Sequence, residues 1–137
     1  DTLAHALVDS PVGLAAWVLD EFEAWSDGDA YGSIAPHRLL DNLTLWWVTA
    51  SAGSAAHLYR ESYFATDARV VEGLTGLSVF PREILRPSER WARSRLPNLI
   101  HYERLEAGGH FAALEQPAAF VQQLRRFRER LASVHHV

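Results

Sequence analysis

Cysteine and methionine are both absent from the 137 residues. Without cysteine there is no disulfide framework, no thiolate metal site and no thiol nucleophile, and the redox compartment is left open. The absence of methionine, with aspartate at position 1, predicts a processed chain or a piece of a longer polypeptide. No charge of one sign dominates either. Thirteen basic and 17 acidic residues give a net charge of -4 with no long run of either sign, which excludes a nucleic-acid footprint or a polybasic membrane patch. No window approaches the roughly 18 apolar residues of a membrane-spanning helix, and the opening DTLAHALVDSP lacks the basic start of a signal peptide. A segment that does not insert into a membrane is therefore expected, with a cytoplasmic location. The seven histidines include no pair four apart that would form a helical zinc site, and His135 and His136 fall in the tail, so neither metal nor cofactor is expected.

What is present is ordinary globular material, 48% hydrophobic and 22% charged, enough for a real core. Ser10 supplies an N-cap acceptor and Pro11 a preset φ, which predicts a helix from Pro11 to Trp25. Ser26 to Ser33, dense in Gly, Asp and Ser, reads as a loop. From Pro36 to Tyr63 the pattern is too long for one typical helix, so a bent helix or two helices are predicted, with the break near Gly53 and Ser51–Ser54. Leu43, Leu45, Trp46 and Trp47 make this stretch apolar almost all round and predict burial between other elements. The tryptophans are expected to be mostly core, with Trp17, Trp46 or Trp47 as candidates for an apolar pocket wall.

After Gly73 the texture changes. A short strand is predicted at Leu77–Phe80, a helix at Pro87–Arg95, a second strand at Leu99–Leu105 and a closing amphipathic helix at Pro117–Leu131. Strand–helix–strand order favours parallel pairing, and a parallel sheet needs more than two strands with both faces covered. The rest of the sheet is expected from residues outside this chain or from a partner. The predicted class is α/β.

Open α/β sheets gather functional groups beyond the carboxyl ends of their strands. Glu83 follows the first predicted strand and His110 the second, the latter inside GGHFAALEQP, where paired glycines allow a tight turn and FAAL would seat the loop on the core. A carboxylate beside that imidazole could hold its Nδ1 proton and leave Nε2 free as a general base. A satisfied loop histidine and a solvated Glu83 are the structural alternative.

The stretch SVFPREILRPSERWARSRLPNLIHYERLEAGGHFAALEQPAAF, residues 78–120, resembles the carboxy-terminal region of microsomal-type and juvenile-hormone epoxide hydrolases, notably in FPRE at 80–83 and GGHFAA at 108–113. DSPVGLAAW at 9–17 and DNLTLWWVTASAGSAAHLY at 41–59 extend the likeness over nearly the whole chain. The resemblance implies the carboxy-terminal part of an α/β-hydrolase fold, with residues 1–70 as a helical lid segment and 71–137 as the last strand-helix-strand-helix of the core. It implies His110 as the base that activates water, Glu83 as its orienting carboxylate and Tyr59 as a lid tyrosine that donates to the epoxide oxygen. Tyr63, one helical turn on, is the alternative donor, and Tyr31 reads as surface. The family's aspartate nucleophile is not found. Asp41 and Asp67 do not lie on a strand-to-helix elbow. The implied partners are a small-molecule epoxide, water, and the amino-terminal remainder of the fold in the same or another chain. The competing function class is a noncatalytic helical binding module in which His110 is structural.

Overall fold

The computed structural model describes residues 2–62 and 69–134. Tyr63, Asp67, His135 and His136 lie outside the described residues. The chain divides into two compact units, Asp1–Ala24 with Asp29–Asp67 and Trp25–Gly28 with Ala68–Val137.

The first unit is helical: α1 (Thr2–Asp9), α2 (Pro11–Trp25, whose last residue belongs to the second unit), α3 (Ala30–Ser33), α4 (Pro36–Val48) and α5 (Ser51–Ser62). Ser10 separates α1 from α2 and caps the latter, accepting from the Gly13 N–H at 3.0 Å, with Pro11 at the first helical position. The two helices meet at a bend of 114°, and no single helix among the described residues is long and apolar enough to cross a membrane. Leu7, Leu14 and Ala52 form a buried cluster on which Val18 and Trp46 pack. It joins α1, α2 and α5.

The structure departs from four sequence expectations in this unit and its tryptophans. Ser26–Ser33 is not all loop, because Ala30–Ser33 forms α3. The break in the long helical stretch falls at Thr49–Ala50 and not around Gly53. Ala50 takes a left-handed φ of 49°, and the Thr49 hydroxyl donates to the Leu45 carbonyl at 2.7 Å, which together end α4. Gly53 instead lies within α5, where its missing side chain lets the helix lie against Val8. The expected burial of the α4 segment is also incomplete. Leu39 and Leu43 are buried, but Leu45 and Val48 are 60% and 69% exposed. The tryptophans are core only in part: Trp46 packs on the buried cluster and Trp25 is half-buried, but Trp17, Trp47 and Trp91 are exposed.

The second unit holds β1 (Thr75–Val79), α6 (Glu89–Arg95), β2 (Leu99–Arg104), α7 (Ala112–Glu115) and α8 (Pro117–Val134). The strands pair in parallel, with Leu77 opposite Tyr102 and Val79 opposite Arg104. The strand-helix-strand order thus gives the expected parallel pairing, and the extra turn α7 is new. Ser88 caps α6, accepting from the Trp91 N–H at 3.4 Å, and Arg93 pairs with Glu89 one turn earlier at 2.7 Å. On β2 the buried residues are Leu99 and His101. Gln123 of α8 meets His101 Nε2 at 2.8 Å and accepts from the Ser78 hydroxyl of β1 at 3.2 Å, so one buried side chain ties α8 to both strands. Parallel strands joined through a helix bear out the expected α/β class, with a two-stranded sheet among the described residues.

Candidate active site

The two strands place the site by continuing to run beside each other after regular pairing ends. Past Val79 and Arg104, the Leu105 N–H donates to the Val79 carbonyl at 2.9 Å and the Arg82 N–H to the Gly108 carbonyl at 3.1 Å. Arg82 and Gly109 then form a parallel bridge. Glu83 is the next residue on one side and His110 the next on the other. Their side chains meet, with His110 Nδ1 2.7 Å from Glu83 Oε1.

Glu83 is set by a tight turn in which its N–H donates to the Phe80 carbonyl at 3.2 Å, and the same Oε1 that meets His110 accepts from the Ile84 N–H at 2.7 Å. Partial burial pushes the Glu83 carboxyl up, but the hydrogen bonds from His110 and from the Ile84 N–H, with the attraction of the imidazole charge, outweigh it and leave the pKa lowered. An ionised carboxylate beside Nδ1 favours the tautomer with its proton on Nδ1. That leaves Nε2 as the basic nitrogen, and it makes no hydrogen bond among the described residues. The His110 side chain is 39% exposed.

The ring is held edge-on by two aromatics, Trp25 with centroids 5.3 Å apart and Phe111 at 5.2 Å. Its backbone is held as well. The His110 N–H donates to the Trp25 carbonyl at 2.9 Å and the Gly108 N–H to Asp27 Oδ2 at 2.7 Å. Asp27 lies 3.6 Å from the Arg82 guanidinium. Gly108 has a φ of +113°, open to glycine and strained for other residues. At Gly109 a Cβ would sit 2.5 Å from the Trp25 carbonyl oxygen, so only glycine lets the loop approach this closely.

The structure therefore brings two of the three predicted side chains together. Tyr59 lies on α5 in the other unit and is 72% exposed, while Tyr63 falls outside the described residues. Tyr31 is in α3 and 52% exposed. Sequence reasoning missed Asp27 and Glu115. Glu115 ends the apolar run FAAL and is 7% exposed, and a lone carboxylate closing an apolar run is a signal that could have marked it.

Compared with models of known protein families, the chain matches none. Individual proteins match it clearly. It is 41% identical over 132 residues to a Stigmatella aurantiaca protein assigned to the epoxide hydrolases, covering 93% of this chain and 30% of that protein. It is 36% identical over 141 residues to epoxide hydrolase 1 of Sus scrofa, covering 93% and 31%. The solved structure of Aspergillus niger epoxide hydrolase superposes with a TM-score of 0.81 at 30% identity, covering 95% of this chain and 33% of that one. The chain spans about a third of the length of the relatives it matches.

Proposed function

We propose that this chain is the carboxy-terminal part of an epoxide hydrolase of the α/β-hydrolase fold, and that it supplies the general base, the orienting carboxylate and a phenol donor for opening an epoxide to a vicinal diol. The observation that carries this reading is the Glu83–His110 contact at 2.7 Å, with Nε2 making no hydrogen bond among the described residues. The nucleophile and the rest of the sheet come from the remainder of the hydrolase, in the same or another chain.

The chemistry proceeds in two steps. A carboxylate oxygen of the nucleophile, an aspartate in this reading, attacks one epoxide carbon; the C–O bond breaks, and the resulting alkoxide takes a proton from the Tyr59 phenol. The enzyme is then esterified. Nε2 of His110 takes a proton from water, the hydroxide adds to the ester carbonyl, collapse releases the diol and the aspartate, and the imidazolium proton passes through solvent to the Tyr59 phenolate, restoring both groups. Glu83 stabilises the imidazolium formed in that second step without itself becoming protonated.

The two steps are separable in a complete enzyme carrying this segment. His110→Ala is expected to open the epoxide and stop at the ester, detected as a covalent adduct by intact mass. Tyr59→Phe should slow adduct formation about 10- to 1,000-fold, the range expected for loss of one transition-state donor worth roughly 1.5–4 kcal/mol. Wild-type turnover by the His110 variant would remove His110 as the base. An unchanged alkylation rate would remove Tyr59 as the donor and make Tyr63 the next residue to test.

A further inference from the structure

The carboxylate of Glu115 is buried, and each of its oxygens serves the backbone around His110. Oε1 accepts from the Gly109 N–H at 3.1 Å and the Phe111 N–H at 3.0 Å, the residues on either side of the histidine. Oε2 accepts from the Gly109 N–H at 3.1 Å and from the Asp27 N–H at 2.6 Å. Three backbone donors thus converge on one side chain, and two of them flank His110 directly. The third belongs to Trp25–Gly28, the same short segment whose Trp25 carbonyl accepts the His110 N–H and whose Asp27 side chain accepts the Gly108 N–H.

We propose that Glu115 is the positioning residue for the base: it clamps the His110 loop onto Trp25–Gly28 and so fixes where Nε2 delivers water. The proposal rests on the reading of His110 as that base. The hydrogen bonds of the Glu115 carboxylate all go to backbone N–H groups, so it acts on the imidazole through the backbone. Its chemistry is demanding because the three partners are all donors. A glutamine would replace one acceptor oxygen by an NH2 group and turn it toward an N–H, so the isosteric change breaks the clamp.

The test follows single turnovers of the complete enzyme with an epoxide substrate, measuring ester formation and ester hydrolysis separately by quenched mass analysis. Glu115→Gln should slow hydrolysis about 10- to 100-fold, the scale of a displacement of roughly 1 Å, while ester formation holds within about threefold. Gly109→Ala, which drives a Cβ toward the Trp25 carbonyl without altering the carboxylate, should give the same selective loss. Equal slowing of both steps, or no slowing of hydrolysis, overturns the proposal. The wild-type protein supplies a readout that needs no variant: the Asp27, Gly109 and Phe111 amides should be protected from hydrogen exchange together, and exchange at loop rates overturns the clamp. His110→Ala run in parallel separates the two claims. If it accumulates ester while Glu115→Gln does not slow hydrolysis, only the clamp fails; if it hydrolyses ester at the wild-type rate, the base assignment fails and the clamp with it.

Discussion

Glu83 Oε1 accepts two hydrogen bonds, from the His110 ring and from the Ile84 N–H, each at 2.7 Å. Those donors act against partial desolvation and hold the carboxyl below its ordinary range. A carboxyl lowered on folding stabilises the folded state above its unfolded pKa and loses that contribution as pH falls through the folded one. The contact therefore persists at neutral pH and loosens only in acid, below the usual carboxylate range. A carbon-detected titration should place the Glu83 midpoint below that of an ordinary glutamate. In His110→Ala it should move up, because the desolvation stays while the ring donor is gone. A midpoint unmoved by that substitution would mean that the imidazole does not hold the carboxylate. At this scale the pair was legible in sequence, since each residue follows a strand within Pro- or Gly-marked chain. The pairing of Glu115 with the Asp27 N–H was not, because it joins residues 88 positions apart.

Among elements, α8 is fastened to the sheet by a polar side chain as well as by apolar packing. His101 and Gln123 are 8% and 5% exposed, and each is the other's hydrogen-bond partner. Removing Gln123 takes away the partner of the buried His101 Nε2, and leaving such a group unsatisfied costs about 1–3 kcal/mol. Gln123→Ala should lower the denaturant midpoint by a corresponding amount, whereas its exposed neighbour changed as Gln122→Ala should stay within about 0.5 kcal/mol. Equal midpoints for the two variants would show that the contact contributes nothing net. The helix itself was readable from its periodicity, but Gln123 reads there as an ordinary polar position. The α4–α5 break shows the same limit from another direction. Gly53 was the natural breaker by propensity, yet close approach to Val8 keeps it helical and the chain turns at Ala50. Tertiary packing decided between two locally reasonable sites.

For the molecule as a whole, the informative feature is apolar surface without cover. In the first unit Val12 is 76% exposed and Leu58 66%; in the second, Leu85 is 79% exposed and Trp91 74%. Among the described residues β1 and β2 pair only with each other, although parallel strands are normally buried on both faces in larger sheets and a two-stranded sheet is marginal alone. The relatives this chain resembles are about three times its length. Together these observations support a segment built to dock against the remainder of a hydrolase fold, which would pair the free strand edge and cover the apolar residues. The purified chain alone should bind a hydrophobic dye such as ANS, self-associate at micromolar concentration and melt over a broad range. Joined to the complementary part, covalently or by co-expression, it should lose the dye signal and melt cooperatively at higher temperature. The rise should be accompanied by protection of the Thr75–Val79 amides from hydrogen exchange if the new pairing forms along β1. A chain that is monomeric, dye-silent and sharply melting by itself would sink this idea, since the exposed residues would then need no further partner to be stable.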